Sequence, residues 1–222
     1  MAEKPLIIGA GGHGKVVADI LWSAGIEPAG FIDADESLWG TPILDLPVLG
    51  GIAHLEELAR HVGSRSAVVA IGDNRLRLEH AREVVKAGLS LQSAIHPSAM
   101  ISPRARLGAG VVACMGSAIC VEARIGDLAI VNTNAVVDHE CNVGEAAHVC
   151  PNATLAGRVQ IGQGAFIGTG ASIIQCRRVG EWATIGAGSA VIADIPHAAT
   201  AVGVPARIIR GEQVTLPRVV PK

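Results

Sequence analysis

The sequence predicts a small α/β domain followed by a parallel β-helix of hexapeptide repeats. Three observations carry this: an aliphatic residue at every sixth position from Ile95 to Val191, a glycine-rich turn directly after the first apolar run, and alternating strand-like and helix-like segments before residue 92. The resulting boundaries are 1–91 for the α/β domain, 92–196 for the β-helix and 197–222 for a C-terminal segment covering the end of the solenoid.

In chain order, Leu6-Ile7-Ile8 reads as a short buried strand, Gly9-Ala10-Gly11-Gly12-His13-Gly14 as a tight turn, and Lys15 to Ala24 as a helix by its apolar spacing. A second strand ends at Phe31-Ile32-Asp33, the Gly- and Pro-bearing stretch Trp39 to Gly51 reads as a loop, and a helix covers about Ala53 to His61. A third strand, Ala67 to Ile71, runs into Gly72-Asp73-Asn74 and a helix ending at Lys86, and Leu89 to Ile95 leads into the repeats. Strands alternating with helices imply a parallel sheet with crossover helices.

The repeat register passes through Ile101, Leu107, Ala113 and Ile119 to Val191, and Ala113 alone of its seventeen positions is not Ile, Leu or Val. A period of six fits neither a helix, near 3.6, nor a simple strand, at two. It fits strand-and-corner units wound three to a coil. Two positions earlier sits a small residue, as at Ala99, Ala105, Ser117, Ala123, Ala135 and Ala147, so large and small residues share the interior. Coil features should then recur every eighteen residues, and Gly108, Gly126, Gly144, Gly162 and Gly180 do. A second column, Gly116, Asn134, Asn152, Gly170 and Gly188, holds types that tolerate the left-handed conformation of a tight corner.

Composition narrows the function classes. A net charge of −2 over 222 residues suggests neither nucleic acid nor an acidic membrane surface as partner. Mean hydropathy is +0.42, but the apolar residues are periodic and no long apolar run approaches a membrane span. Met1 to Pro5 leads into a strand without signal-peptide character, which predicts a cytoplasmic protein. The five cysteines are odd in number and form no Cys-x-x-Cys pair, so they read as small packing residues in a reducing compartment.

Gly9, Gly11 and Gly14 match G-x-G-x-x-G, with Asp33 or Asp35 about twenty positions on. That is a dinucleotide fingerprint, whose glycines let backbone amides and a helix N-terminus approach a pyrophosphate. A full dinucleotide fold uses two such halves, whereas about ninety residues precede the solenoid here. This Rossmann-like half domain suits half a ligand: a nucleoside diphosphate attached to something else. Gly11, Gly12 and His13 would face it, Asp33 could accept from a ribose or uracil-type donor, and Gly72 lies on the same sheet edge.

Two of the eight histidines stand out. His139, in Val137-Asp138-His139-Glu140-Cys141, falls at an outward corner between two carboxylates. A carboxylate beside an imidazole orients it and raises its basicity, as a general base requires. Spacing leaves open whether Asp138 or Glu140 does so. His148 follows nine residues later, half a coil, so one ligand could meet both rings only across a subunit boundary. His54, His61, His80, His96 and His197 read as structural or solvated.

The run His139-Glu140-Cys141-Asn142-Val143-Gly144-Glu145-Ala146-Ala147-His148, the Gly9 to Gly14 turn, Phe31-Ile32-Asp33, Ile71-Gly72-Asp73-Asn74 and Val202-Gly203-Val204-Pro205-Ala206-Arg207 together resemble the NeuD/PglD-type sugar acyltransferases, from about Leu6 to Gly211. The resemblance implies a left-handed β-helix, a homotrimer, no metal, and acetyl transfer from acetyl-CoA to a nucleotide-linked amino sugar in cell-surface polysaccharide biosynthesis. It makes His139 the general base, Glu140 its polarising partner and His148 a contact to acetyl-CoA. Gly157 would offer a backbone amide to the thioester oxygen. Thr169 and Ala187 match further acetyl-CoA contacts, while Gly11, Gly12, His13, Asp33 and Gly72 match the nucleotide-sugar site. Where some members carry two consecutive acidic residues this chain has Asp33-Ala34-Asp35, which leaves uracil and guanine both open.

Direct transfer to an amine, at C4 of a deoxyhexose, is the expected reaction. Cys141, the nearest candidate nucleophile, has an inward register. O-acetylation of a sugar or sialic acid is the main rival. A nicotinamide oxidoreductase would leave the solenoid idle, and a non-catalytic scaffold would not need the corner histidine. A zinc hydratase of the β-helix kind needs a histidine triad, but two coils beyond His139 and His148 stand Gln175 and Thr184.

Overall fold

The structure, a computed structural model, describes residues 4–211. Residues 1–3 of the expected first domain and 212–222 of the expected C-terminal segment lie outside the described residues.

The first domain comprises β1 (Leu6–Ile8), α1 (Gly12–Ser23), β2 (Gly30–Ile32), β3 (Pro42–Ile43), β4 (Leu46–Gly50), α2 (Leu55–Val62), β5 (Ser66–Val69), α3 (Asn74–Lys86) and β6 (Ser90–Leu91). Its sheet runs β3-β4-β2-β1-β5-β6, parallel except at β3. Successive side chains of a strand point to opposite faces. Ile7 accordingly packs with Val17, Leu21 and Phe31 beneath α1, whereas Leu6 and Ile8 pack with Leu55, Leu78 and Val84 beneath α2 and α3. The helix after β1 and the helix after β5 thus cover opposite faces. Their divergence opens a crevice at the C-terminal ends of these two neighbouring strands, the place where open α/β sheets bind ligands.

Two expectations need correction here. Trp39 to Gly51 is not a plain loop: β3 and β4 form a hairpin through Leu44 and Asp45, both left-handed (φ 49° and 64°), and β4 pairs in parallel with β2. Two prolines gave the stretch loop character, yet Pro47 is exposed while Leu46, Val48 and Gly50 are buried, the alternation of a half-buried strand. The first helix begins at Gly12 rather than Lys15, so the second half of the glycine turn is already helical.

From Ala94 to Val191 two-residue strands alternate with corners and stack at eighteen-residue spacing into three parallel sheets of a left-handed β-helix. Face one carries 94–95, 112–113, 130–131, 148–149, 166–167 and 184–185; face two runs from 100–101 to 190–191; face three runs from 106–107 to 178–179. The inward aliphatic residues and the alanines between them form one core from Val111 to Ala206. The two glycine-bearing columns have different causes. Gly116, Asn134, Asn152, Gly170 and Gly188 are left-handed corners. In the other column the coils press together: a Cβ on Gly144 would lie 2.6 Å from Gln163 N in the next coil. Thr200–Val202 extends face one and Arg207–Arg210 folds back antiparallel on it, covering the sheet edge.

The two domains are tied by side chains, not only by the chain. Arg77, fully buried on α3, donates from Nε to Leu128 O (2.9 Å) and from Nη2 to Ala146 O (2.7 Å), both carbonyls at the edge between faces three and one. Its Nη1 reaches back to Ile71 O (2.8 Å), and Asn74 donates to Gly164 O (3.0 Å). α1 meanwhile packs on face one through Ala94, Val112 and Ile130.

Candidate active site

A cavity of about 350 Å³ at the ends of β1, β2 and β5 is lined by all five residues expected to hold the nucleotide sugar, Gly11, Gly12, His13, Asp33 and Gly72. The glycines of the turn separate by cause. Gly9 is left-handed (φ 104°), and a Cβ on Gly14 would strike the Gly9 carbonyl, so the fold itself requires these two. Added Cβ atoms on Gly11 and Gly12 meet nothing within 4 Å among the described residues. Their bareness leaves main-chain amides at the start of α1 open to a ligand. Asp33 is oriented by accepting from Ala10 N (2.7 Å) and Asp35 N (2.9 Å), one amide per oxygen.

His80 lines the same cavity, and its Nδ1 is buried without a hydrogen-bond partner among the described residues. Sequence reasoning missed it. The available signal was its spacing of four from Leu76 on α3, which puts both side chains toward the crevice.

His148 sits on face one at the seam with the first domain, 8% exposed, its ring centroid 6.4 Å from that of His13 and 5.3 Å from that of Phe166. Its tautomer follows from its neighbours. Thr133 N donates to Asn132 Oδ1 (2.8 Å), which turns the Asn132 amide nitrogen toward His148 Nε2 (3.0 Å). Burial first, then Arg77 and His13, push the His148 imidazole down to about 3, so it is neutral and carries its proton on Nδ1. That buried Nδ1 meets no partner of full hydrogen-bond geometry among the described residues, although the Gly72 main chain opposes part of the shift, and Nε2 of His13, which burial and Arg77 push down to about 4, is likewise buried without a partner among them. The residue expected to touch acetyl-CoA therefore stands beside one expected to touch the nucleotide sugar.

His139 occupies the edge between faces two and three, its side chain 43% exposed. Nδ1 lies 2.9 Å from Glu140 Oε2, whereas Asp138 Oδ1 accepts from the His139 main-chain N–H (2.7 Å). Glu140 is therefore the imidazole's partner and Asp138 a corner brace. Glu140 is itself left-handed (φ 57°). Its Oε2 also accepts from Arg158 Nε, one coil further on, at 3.0 Å. Hydrogen bonds from Arg158, then His139, hold the Glu140 carboxyl below the usual range. Gly157 stacks on the ring: a Cβ there would sit on His139 Nε2 and 2.5 Å from Cε1. The Gly157 carbonyl accepts from Cys176 N (3.0 Å), while its N–H has no acceptor among the described residues. Cys141 is buried, donates to Ala156 O (3.1 Å) and is pushed up to about 11 by burial, which disarms it as a nucleophile.

Thr169 and Ala187 are exposed and stack at another edge, between faces one and two. Within one chain the expected residues thus form two groups. The nucleotide crevice, His148, Thr169 and Ala187 gather around face one, whereas His139, Glu140 and Gly157 lie on the opposite edge of the prism. Among the described residues no group of three or more His, Cys, Asp or Glu could hold a metal ion, and no helix is long and apolar enough to cross a membrane.

An α/β domain with an open glycine turn, docked on a β-helix that carries a His–Glu pair at one edge, defines a two-domain β-helix acyltransferase. Residues 4–84 match the family model described as the PglD N-terminal domain. The chain is 44% identical, with TM-score 0.90, to a histidine-to-alanine variant of GDP-perosamine N-acetyltransferase from Caulobacter crescentus in complex with CoA and GDP-perosamine, over 96% of this chain and 99% of that one. PerB from the same organism, in complex with the same two ligands, gives 44% and 0.89 over 95% and 99%. The acetyltransferase domain of PglB from Neisseria gonorrhoeae in complex with acetyl coenzyme A gives 35% and 0.87 over 94% and 100%. No curated protein matches the chain. The chain belongs to the NeuD/PglD-type sugar acyltransferase family.

Proposed function

We propose that the protein is an acetyl-CoA-dependent N-acetyltransferase whose acceptor is a nucleotide-linked 4-amino-deoxyhexose, GDP-linked like the ligand of its Caulobacter relative. The observation that carries this reading is the His139–Glu140 pair, 2.9 Å apart, with the opposite ring nitrogen directed at Gly157. The sugar amine attacks the thioester carbonyl while His139 Nε2 takes its proton, and Nδ1–H stays bonded to the Glu140 carboxylate. The Gly157 N–H stabilises the oxyanion, and the CoA thiolate leaves. No acyl-enzyme forms.

In the crevice, Gly11, Gly12 and the start of α1 receive the diphosphate. Apolar walls from Ile8, Ile32, Ile52 and Leu76 suit the faces of a base, and Asp33 and His80 suit its polar edge. The separation of the crevice from His139 within one chain supports a homotrimer with sites shared between neighbours, acting in the cytoplasm on precursors of a surface polysaccharide.

The test is thiol release from acetyl-CoA with GDP-perosamine and with UDP-linked 4-amino sugars. Turnover is expected with one of them, and absence of thiol release with both overturns the reading. His139→Ala should lower kcat by roughly 10²–10⁴-fold with CoA affinity unchanged. Mixing His139→Ala with His148→Ala chains should restore activity in hybrid trimers, and a monomeric mass by light scattering would remove the shared site.

A further inference from the structure

We infer that Arg158 is a positioning residue that holds the Glu140 carboxylate on the His139 imidazole; this rests on the function proposed above. The geometry is a clamp. Arg158 N donates to His139 O (2.9 Å), and Arg158 Nε donates to Glu140 Oε2 (3.0 Å), the same oxygen that lies 2.9 Å from His139 Nδ1. One residue of the next coil therefore grips both members of the pair, one through its main chain and the other through its side chain. Arg158 stands exactly one coil after Glu140, and both are left-handed, a conformation unfavourable for side chains other than glycine. The shared corner geometry brings the two side chains over one another along the edge.

The pair is open to solvent, so its contribution to stability is small. Its effect is on geometry. The guanidinium fixes Oε2, the oxygen that faces Nδ1, so the carboxylate is held where it meets the ring and Nε2 is kept turned toward Gly157.

The other charged or titratable groups facing this cluster are Asp138, which accepts from His139 N, Glu122 one coil below Glu140, Cys176 one coil above Arg158, Cys120 beside Asp138, and Arg104, Arg106 and Arg124 along the groove on face three.

The experiment compares Arg158→Met, which keeps an apolar stem, with Arg158→Lys, which keeps a cationic donor, by saturated kcat and KM with acetyl-CoA and the nucleotide amino sugar. Arg158→Lys should keep at least about half of wild-type kcat, since an ammonium can still hold the carboxylate. Saturated kcat on the plateau should fall roughly 3–10-fold in Arg158→Met, because the carboxylate is held less well, with KM for acetyl-CoA unchanged. Placed on Glu140→Gln, where no carboxylate remains to be held, Arg158→Met should change plateau kcat by less than about 2-fold.

A merely structural role would cost the same whether or not residue 140 is a carboxylate, and Arg158→Lys would not rescue it. An unchanged plateau kcat in Arg158→Met overturns the inference, as does an equal loss on the Glu140→Gln background. By NMR, the downfield Nδ1–H resonance of His139, bonded to Glu140, should weaken in Arg158→Met and persist in Arg158→Lys, which decides the matter independently of turnover. Wild-type protein with no transferase activity alongside the expected NMR change would overturn the functional reading and leave the clamp standing.

Discussion

Replacing Gly157 by Ala tests whether the imidazole of His139 must lie where the structure places it. The added Cβ would overlap Nε2 and lie 2.5 Å from Cε1 and 3.0 Å from Cδ2. Ordinary contacts of this kind begin near 3.5 Å, so the ring must withdraw by about 1 Å. A misplacement of that size costs roughly 10²-fold in rate, and we expect saturated kcat to fall by about that factor. Stability should change by less than about 1 kcal/mol, because the obstacle is the far end of a half-exposed side chain that can swing outward. Alanine keeps the main-chain N–H at 157, so loss of the oxyanion donor cannot account for the effect. The assay is thiol release with both substrates saturating, beside a urea unfolding curve and CoA binding by calorimetry. A further control is the double variant: once His139→Ala has removed the ring, Gly157→Ala should cost nothing more. A folded Gly157→Ala protein with kcat within about threefold of wild type would refute the reasoning.

Two further outcomes follow from the seam and the crevice. His13 ionises near 6.5 when unfolded but about 4 in the folded protein, and His148 about 3, so between these values the unfolded chain binds protons that the folded one does not. Their contribution to stability is complete above about pH 6.5 and is lost as pH falls, on the order of 3 kcal/mol for His13 alone by pH 4; urea midpoints that are flat between pH 7.5 and 4.5 would contradict this. His80→Leu should weaken GDP binding by about tenfold, the worth of one hydrogen bond, while the melting temperature holds or rises because a buried nitrogen with no partner among the described residues is gone. Unchanged GDP affinity by calorimetry, or a lowered melting temperature, would place His80 in the structure rather than the site.

Much of the architecture is visible in the chain because its packing is periodic. An inward residue every six positions is a core requirement that no local accident disguises, and β1 and α3 are marked by their own apolar patterns. The hairpin at Pro42 to Gly50 was hidden because its strand character lies in pairing with β2, a partner many residues away, while its prolines advertise a loop. Of the candidate site, the glycine turn and the His139–Glu140 pair were legible because each is contiguous. His13 meeting His148, and His80 sharing the crevice with Asp33, depend on how α1 and α3 dock against the strands and face one, which spacing along the chain does not encode.

Arg158 is the instructive intermediate case. The eighteen-residue arithmetic that exposes the glycine columns also places Glu122, Glu140, Arg158 and Cys176 in one column, so its contact with Glu140 was within reach of the sequence. What hid it is that the column's backbone requirement, a left-handed corner, singles out no side chain. In a β-helix the inward positions must stay aliphatic or small, and coil-to-coil contact demands glycine at positions such as Gly144 and Gly162. The corner positions have no such duty beyond tolerating a left-handed turn, and each stacks on its equivalent in the next coil. A charge placed at one corner therefore finds its partner one coil away without disturbing the core, and it is in two adjacent corner columns, His139 with Gly157 and Glu140 with Arg158, that the four residues come together.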